Sequence, residues 1–390
     1  MSAFSDIITF TRASAAWRYN EFGIYEQVPA NQPRFDYDPV TLALRGLLIE
    51  EQRTNLLTYS NDFTNAAWLK TDTTPSTDGT LAPDGGPMQL LTQGSAMNGF
   101  VGRASSVSIS PGTFTASRFF KRGNHDWVRL SIAADAGGNN AGHAWFNLAT
   151  GTVGSTLATG SATSVTSRIR SCGGGIYRCE VSTTLATSTA NSISSGVTGD
   201  TAFTRVSGGS RYEWLGQLEA GSFASSPIPT LGSQVTRAAD VASVNTLSPW
   251  FNPVAGTIYA EWDASGGLAT NSPVWVLQGS GTNIIRQRAE AARPLFDVYT
   301  DGVAQASISV GAPVVAGVTR KTAAAWMLNS FQAAADGSLG APDVSGSIPS
   351  VTQLAFVKAN VTAASFNGHL RRIRYWPRRL FDNELQRITA

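Results

Sequence analysis

Apolar and polar residues alternate along most of the chain, and this period of two predicts antiparallel β-strands with one buried face. In residues 127–133, Val128 and Ile132 lie on one face of such a strand, whereas Arg129 and Ser131 lie on the other. The same alternation recurs in residues 177–181, 212–218, 256–262, 273–277 and 295–299. The chain is therefore predicted to be all-β.

Turn residues between the strands predict two hairpins. Asp301-Gly302 is a strong signal for a type I′ turn. Residues 122–125 contain a glycine and predict a hairpin loop in which His125 is exposed to solvent.

One helix is predicted, at the C-terminal end of the chain. Residues 382–388 place Leu385 and Ile388 on one face, and Asp382 caps the first turn. Residues 322–329 also have a helix-compatible composition, but they lie between turn signals, which favours a buried strand.

The alternation stops after Ser222, which predicts a domain boundary. Pro227 and Pro229 interrupt the pattern, and irregular segments of this kind commonly separate domains. We therefore expect two antiparallel, jelly-roll-like β-sandwich domains, over residues 56–240 and 241–390.

Residues 1–55 are too short for an independent core, since Pro29, Pro33 and Pro39 interrupt any pattern. We expect an irregular N-terminal arm for attachment and oligomerisation, with apolar side chains that become buried against another copy of the chain or a partner protein. The equal alternative is that these residues add strands to the first sandwich.

Composition narrows the classes of function. Charged residues make up 14% of the 390 residues and the formal net charge is +2, so no overall field attracts nucleic acid or an anionic membrane. No apolar run reaches the roughly 18 residues of a membrane helix, and the N-terminus lacks the pattern of a secretory signal. We expect synthesis in the cytoplasm and no membrane insertion.

The two cysteines, Cys172 and Cys179, flank a glycine-rich segment that a hairpin can fold back on itself. A disulfide and two buried free thiols in neighbouring strands both fit this spacing. A zinc site is not expected, because four ligands are needed and the chain contains 3 His.

One pair of carboxylates is a candidate for catalysis. Glu261 and Asp263 are separated by one residue of a predicted strand and point to the same side, as in some jelly-roll glycoside hydrolases. No carboxylate follows in residues 264–271, and the three histidines are widely separated. We expect a solvated strand face and no enzymatic activity.

Two oxygen-rich loops, residues 135–140 and Asp301-Gly302, are of the kind that holds Ca²⁺. Turn formation explains both, so no cofactor is predicted. A basic and aromatic segment near the C-terminus has the composition of a nucleic-acid surface, but a last sandwich strand with exposed arginines explains it better. Its arginines are Arg371, Arg372, Arg374, Arg378 and Arg379.

Ten tryptophans are a high number for this length, and rings at sandwich edges or in loops provide flat platforms for sugars. Four of them lie in alternating runs and are expected to fill the sandwiches: Trp127, Trp145, Trp214 and Trp262. Trp68 and Trp250 lie in irregular segments and are expected at an interface. The predicted carbohydrate-binding residues are Trp68, Trp250, His125, Asn139 and Asn140.

Four stretches of the chain, in the expected order, resemble segments of virion surface proteins of bacteriophages, prophages and phage-like gene transfer particles. They are Gly46-Leu-Leu-Ile-Glu50 with its continuation to Trp68, residues 10–15 with 33–39, residues 217–240, and residues 368–385. The resemblance implies a carbohydrate-binding-module-like sandwich followed by a laminin-G or concanavalin-like sandwich.

The same resemblance implies a head spike or tail fibre that binds host capsular or surface polysaccharide. Its expected partners are that polysaccharide, other virion proteins and further copies of the chain. Two alternatives remain open at this point: a capsule-degrading glycoside hydrolase, and a purely structural decoration protein that anchors another adhesin.

Overall fold

The computed structural model describes residues 7–95, 99–103, 105–134, 138–266, 272–280, 282–356 and 366–390. Almost all regular structure within these ranges is antiparallel β-sheet, and a short helix lies at the C-terminal end. The predicted all-β fold with antiparallel sandwiches is confirmed. No helix within the described ranges is long and apolar enough to span a membrane.

The N-terminal part of the chain contributes short strands. They are β1 (Thr9–Thr11), β2 (Ala16–Tyr19), β3 (Tyr25–Val28), β4 (Phe35–Tyr37), β5 (Leu44–Ile49) and β6 (Arg53–Asn55). β2 and β3 form a hairpin, and β4 pairs with β5.

The first sandwich follows. Its strands are β7 (Trp68–Thr71), β8 (Thr73–Ser76), β9 (Gln89–Gln93), β10 (Phe100–Arg103), β11 (Val107–Ser108), β12 (Gly112–Arg122), β13 (Trp127–Ala133), β14 (Ala141–Asn147), β15 (Thr152–Ala158), β16 (Thr163–Ser171), β17 (Ile176–Leu185), β18 (Thr189–Val197) and β19 (Ser210–Ala220). Sheet I has the order β15-β14-β13-β18-β10-β7, with β11 also on β18, and sheet II has the order β16-β17-β12-β19-β9-β8. Leu130, Phe146 and Val181 lie in the core between the sheets.

β20 (Val235–Arg237) precedes the second sandwich. The second sandwich contains β21 (Val241–Val244), β22 (Ala255–Ala264), β23 (Ser272–Gln278), β24 (Ile284–Ala289), β25 (Leu295–Thr300), β26 (Val303–Ser309), β27 (Arg320–Met327), β28 (Ser330–Ala335), β29 (Ser338–Leu339), β30 (Gln353–Ala355), β31 (Gly368–Trp376) and helix α1 (Asp382–Thr389). Sheet III has the order β1-β21-β30-β23-β24-β25-β26, and sheet IV has the order β29-β28-β27-β22-β31-β5-β4. β20 pairs with β6 outside these sheets. Trp262, Trp275 and Trp326 lie in the core.

Three local predictions are settled by these elements. The hairpin at Asp301-Gly302 is confirmed, because both residues have the positive φ of a type I′ turn and β25 pairs with β26 across them. The strand predicted over residues 322–329 is confirmed as β27, which lies between β22 and β28. The predicted helix is α1, but its N-cap is Phe381, not Asp382: Asp382 is the first helical residue, and Glu384 Oε2 accepts a hydrogen bond from the Phe381 N–H at 2.8 Å.

The described residues 7–55 form strands, but these strands do not extend the first sandwich, contrary to the alternative prediction. Leu48 of β5 lies opposite His369 of β31 in sheet IV, and β1 pairs with β21 at the edge of sheet III. Leu47 and Ile49 thereby enter the core of the second sandwich, which is why these strands extend it instead of the first. The proposed attachment and oligomerisation role of residues 1–55 stays a prediction.

The β2–β3 hairpin covers part of the outer face of sheet II. The Tyr25 ring stacks on Trp17 at 5.3 Å between centroids and meets Trp214 edge to face at 6.2 Å. Trp214 is therefore buried under this hairpin. The alternation predicts a position between the two sheets, and for Trp214 that prediction is wrong. Residues 7–55 therefore contact both sandwiches.

Both cysteines are free thiols. Cys179 lies in the core between sheets I and II, whereas Cys172 packs with Tyr19 in the aromatic cluster on the other face of sheet II. Because the two side chains belong to opposite faces, the free-thiol alternative describes the structure. Burial raises the pKa of both thiols.

Candidate functional site

Trp68 does not lie at an interface. Its side chain is 1% exposed and packs in the first sandwich, edge to face with Phe63 at 4.9 Å and beneath the Arg118 guanidinium at 4.9 Å. Its Nε1 donates a hydrogen bond to the Tyr59 carbonyl oxygen at 2.9 Å. The interfacial prediction is wrong because Trp68 opens strand β7 and points between the sheets.

His125 is buried and not exposed. The predicted hairpin at residues 122–125 is wrong, because β12 belongs to sheet II and β13 to sheet I, so the connection crosses the end of the sandwich. His125 is 8% exposed there. Burial, and next the charge of Arg211, lowers the pKa of His125 to about 4.

The remaining predicted sugar-binding residues lie far apart. Trp250 is half-buried on the second sandwich, where it packs against Tyr375 at 5.2 Å. Asn139 and Asn140 follow β13, whereas His125 precedes it, so they lie at opposite ends of a strand roughly 23 Å long. The structure does not bring the predicted residues together, and sugar binding by Trp250, Asn139 and Asn140 stays a prediction.

A different group of side chains meets on the outer face of sheet I. The strand register places Arg129 of β13 between Trp145 of β14 and Ser195 of β18. His143 of β14 lies in the next row on this face, and Phe203 covers the group from the loop after β18. We call these five residues the outer-face cluster.

Arg129 is the unusual member of the outer-face cluster. It is 5% exposed, and neither Nε nor Nη1 has a hydrogen-bond partner among the described residues. The Ser195 hydroxyl beside it is also buried without a partner in this part of the chain. Buried polar groups are nearly always hydrogen-bonded, so orphaned donors gathered at one place indicate a position for a ligand or ordered water.

The electrostatics of the cluster are positive. Burial, with a further contribution from the charge of Arg205, lowers the pKa of Arg129 to about 9. Burial and the same two arginines lower the pKa of His143 to about 4. At neutral pH, Arg129 is therefore charged and His143 is neutral, and the His143 ring nitrogens are bonded to the hydroxyls of Ser131 at 2.8 Å and Thr159 at 3.3 Å.

Residues 198–206 hold an aromatic ring over this charge. The Trp145 Nε1 donates to the Ala202 carbonyl oxygen at 2.8 Å, which anchors the loop to the sheet. The Phe203 ring meets Trp145 and His143 edge to face, at 5.5 and 5.2 Å, and lies 4.5 Å from the Arg129 guanidinium carbon. Phe203 is 45% exposed, so the cluster presents an aromatic surface to solvent. Trp145 is buried by this loop and not by the opposing sheet that the sequence predicts.

The carboxylates that the sequence offers for catalysis are in a different setting. Glu261 and Asp263 are each 9% exposed, so the solvated strand face is a wrong prediction. β31 and β4 bring partners to them: Arg371 lies 3.3 Å from Glu261, and His369 bonds to Asp263 and Asp36 at 3.0 Å each.

Asp263 is held in its ionised form. Burial opposes ionisation of Asp263, but the charge of His369 outweighs it and lowers the pKa of the carboxyl. Burial likewise opposes protonation of His369, but Asp263 and Asp36 outweigh it and raise its pKa to about 9. A glycosidase acid needs a raised carboxyl pKa, whereas Asp263 stays ionised as the partner of an imidazolium.

Within the described ranges, no group of three or more His, Cys, Asp or Glu side chains is placed to hold a metal ion. Asp135 of the first oxygen-rich loop lies outside the described residues. Asp301 of the second loop is bonded to Asn283, whose side-chain nitrogen donates to Asp301 Oδ1 at 2.9 Å. That contact stabilises the turn.

Comparisons with known proteins give distant structural likenesses. No protein-family model matches the chain, and no curated protein matches it. A Ruminococcus gnavus sialidase CBM40 module, solved with alpha2,3 sialyllactose, matches with a TM-score of 0.32 and 20% identity, over 36% of this chain and 84% of that one.

Two larger structures are also similar. Mouse laminin alpha1 domains LG4-5 match with a TM-score of 0.27 and 10% identity, over 84% of this chain and 89% of that one. A Trypanosoma rangeli sialidase, solved with the inhibitor DANA, matches with a TM-score of 0.30 and 9% identity, over 81% and 62%.

Sequence reasoning misses most of the outer-face cluster. The alternation in β13 correctly places Arg129 on the face away from the core, but such a position is ordinarily solvated. Only the loop at residues 198–206 converts it into a buried site, and no pattern along the chain predicts where that loop lies. The sequence does contain one signal for this site. Arg129 interrupts an apolar strand, and the next strand carries His143 and Trp145 two positions apart, on the same face.

Proposed function

We propose that this chain is a non-enzymatic virion surface protein, a head spike or tail fibre, that binds host capsular or surface polysaccharide and promotes particle adsorption. The observation that carries the binding part is the outer-face cluster, in which a half-exposed aromatic ring covers hydrogen-bond donors that have no partner among the described residues. The resemblance of four stretches of the sequence to phage surface proteins supports the location on a particle.

The chemistry of the cluster fits a sugar. An aromatic ring such as that of Phe203 packs against the C–H face of a pyranose, and hydroxyl and guanidinium donors bond to its oxygens. Arg129 and Ser195 provide such donors side by side on neighbouring strands. A shallow site of this kind binds one sugar weakly, in roughly the millimolar to micromolar range.

Display on a particle makes weak sites effective. Several sites that bind one polymer raise the apparent affinity by about 10² to 10⁴ without new contacts. The proposal therefore includes a homo-oligomer and attachment to other virion proteins, with residues 1–55 as the expected point of attachment.

The proposal is tested with the purified chain diluted until it is monomeric, and with the same chain coupled at high density to beads. Beads are expected to retain host capsular polysaccharide at least about a hundredfold better than the monomer does, and no reducing sugar is released. Release of oligosaccharide that disappears when Glu261 and Asp263 are replaced by Gln and Asn would favour the hydrolase. Polysaccharide retained by neither form would favour the decoration protein.

A further inference from the structure

We infer that the polysaccharide bound at the outer-face cluster carries carboxylate groups, as uronic acids and other acidic sugars do, and that Arg129 binds this carboxylate. The inference rests on the proposed polysaccharide binding and names the chemical class of the ligand. It depends on the charge balance around one buried side chain.

Most other buried arginines in the described ranges have a carboxylate partner, and Arg178, which lacks one there, donates to the Ser117 hydroxyl at 2.9 Å and to the Ser225 carbonyl oxygen at 2.7 Å. Arg118 lies 2.8 Å from Glu213, and Arg286 lies 2.7 Å from Asp297. Arg129 forms no salt bridge within the described residues, and the charged group that contributes to its lowered pKa is another arginine, Arg205. A buried charge without a counter-charge is costly, so this position is suited to an anion supplied by a ligand.

The donors around Arg129 fit a carboxylate in particular. A guanidinium is planar and holds its N–H groups in fixed directions, which matches the two oxygens of a carboxylate. Ser195 lies directly opposite Arg129 on β18, and its unpartnered hydroxyl supplies one more donor. His143 is neutral above a pH of about 4, so at neutral pH the positive charge within the outer-face cluster is that of Arg129.

Phe203 determines how a ligand reaches this charge. Its ring covers the guanidinium and is itself 45% exposed, so an incoming sugar meets Phe203 before Arg129. No carboxylate of this loop forms an ion pair with Arg129. Arg205, in the same loop, donates from Nε to the Gly99 carbonyl oxygen at 3.1 Å. In the binding mode that we infer, the sugar packs on the ring and moves it aside, which brings the carboxylate of the sugar to Arg129.

The test compares acidic polymers with their carboxyl-reduced forms. The probes are polygalacturonate, alginate and hyaluronate, each before and after chemical reduction of the carboxyl groups to alcohols, and a sulfated neutral galactan. The bead-coupled wild-type chain is expected to bind at least one acidic polymer at least about tenfold more tightly than its reduced form. R129Q is expected to lose this preference.

R372Q is the matched control, because Arg372 is exposed on β31 of the second sandwich and the same charge is removed. It is expected to keep the preference. R129Q is also expected to keep or raise the melting temperature, since it removes an uncompensated buried charge. A merely structural arginine would instead lower the melting temperature when replaced.

Equal binding of acidic and reduced polymers would overturn the inference while leaving polysaccharide binding intact. The inference would be overturned in the same way if R129Q and R372Q lost the preference for the acidic polymer equally, or if the chain bound only the sulfated galactan. Binding of none of the polymers would count against both the inference and the proposed function. The reduced polymers decide the question without a variant if R129Q does not fold.

Discussion

Arg12 and Asp240, 228 positions apart in the chain, form a fully buried ion pair, with Arg12 Nη1 3.0 Å from Asp240 Oδ1. Arg34 Nη2 donates to the other oxygen of Asp240 at 2.5 Å and lies 2.9 Å from Glu50. Arg237 lies 3.6 Å from Glu50. These five side chains form one network where the N-terminal strands, the first sandwich and the second sandwich meet.

The stretches that carry the resemblance to virion proteins converge on this network. Arg12, Arg34 and Glu50 come from the first two of them, and Asp240 ends the third. The fourth is joined through His369, which bonds to Asp36 at 3.0 Å. The resemblance therefore concerns the residues that hold the two sandwiches together, whereas the outer-face cluster lies outside these stretches.

Replacement of Asp240 by Asn is expected to destabilise the protein by about 3–5 kcal/mol, because it leaves the buried Arg12 without a counter-charge and removes one of the two carboxylates beside Arg34. Chemical denaturation measures this change in the free energy of unfolding. Glu21→Gln, at an exposed position, removes the same charge and is expected to change stability by less than about 0.5 kcal/mol. Similar values for the two variants would contradict the role of the network.

Limited proteolysis is expected to cut within residues 231–236, which are exposed. No cut is expected next to Ser225 or Asp240, because both are buried. The two fragments are expected to co-elute in gel filtration, because β1 and β5 remain paired with β21 and β31. Mass spectrometry identifies the cut. Fragments that separate without denaturant would show that residues 1–55 do not join the second sandwich.

The stability of the protein is expected to fall as pH rises from about 6.5 to 9. The folded-state pKa of His369 is raised from 6.5 to about 9, so the folded state binds the proton more tightly than the unfolded state. This stabilisation is complete below about pH 6.5, is lost as pH rises through about 9, and amounts to on the order of 3 kcal/mol.

His369→Gln is the variant that isolates this effect. It is expected to be less stable than the wild type at pH 6, and the difference is expected to shrink by pH 9.5. His143→Gln is the control, because its lowered pKa affects stability only as pH falls below about 6.5. A pH profile of His369→Gln parallel to that of the wild type would contradict the assignment.

Phe203→Ala is expected to weaken polysaccharide binding about tenfold, because it removes the exposed ring of the outer-face cluster. Phe203→Trp is expected to retain binding. Phe22→Ala removes another ring, 73% exposed, from the turn between β2 and β3 and is the control. Equal binding by Phe203→Ala and Phe22→Ala, measured with bead-coupled protein, would remove Phe203 from the site.

The sequence predicts individual strands well and their neighbours poorly. Val128 and Arg129 lie on the faces that the alternation assigns, and Asp301-Gly302 forms the predicted turn, because both signals are local. His125 is misplaced because the end of one strand does not reveal which sheet the next strand joins. Arg129 is missed as a site residue because Phe203 reaches it from a loop that is distant in the sequence, and such a contact between distant segments leaves no local signal.

The adsorption of particles tests the central claim most directly. Particles that lack this protein are expected to adsorb poorly to encapsulated cells, and complementation with the wild-type chain restores adsorption, whereas R129Q restores less than R372Q does. Adsorption by the deficient particles that equals that of intact particles, on the same encapsulated cells, would contradict the account.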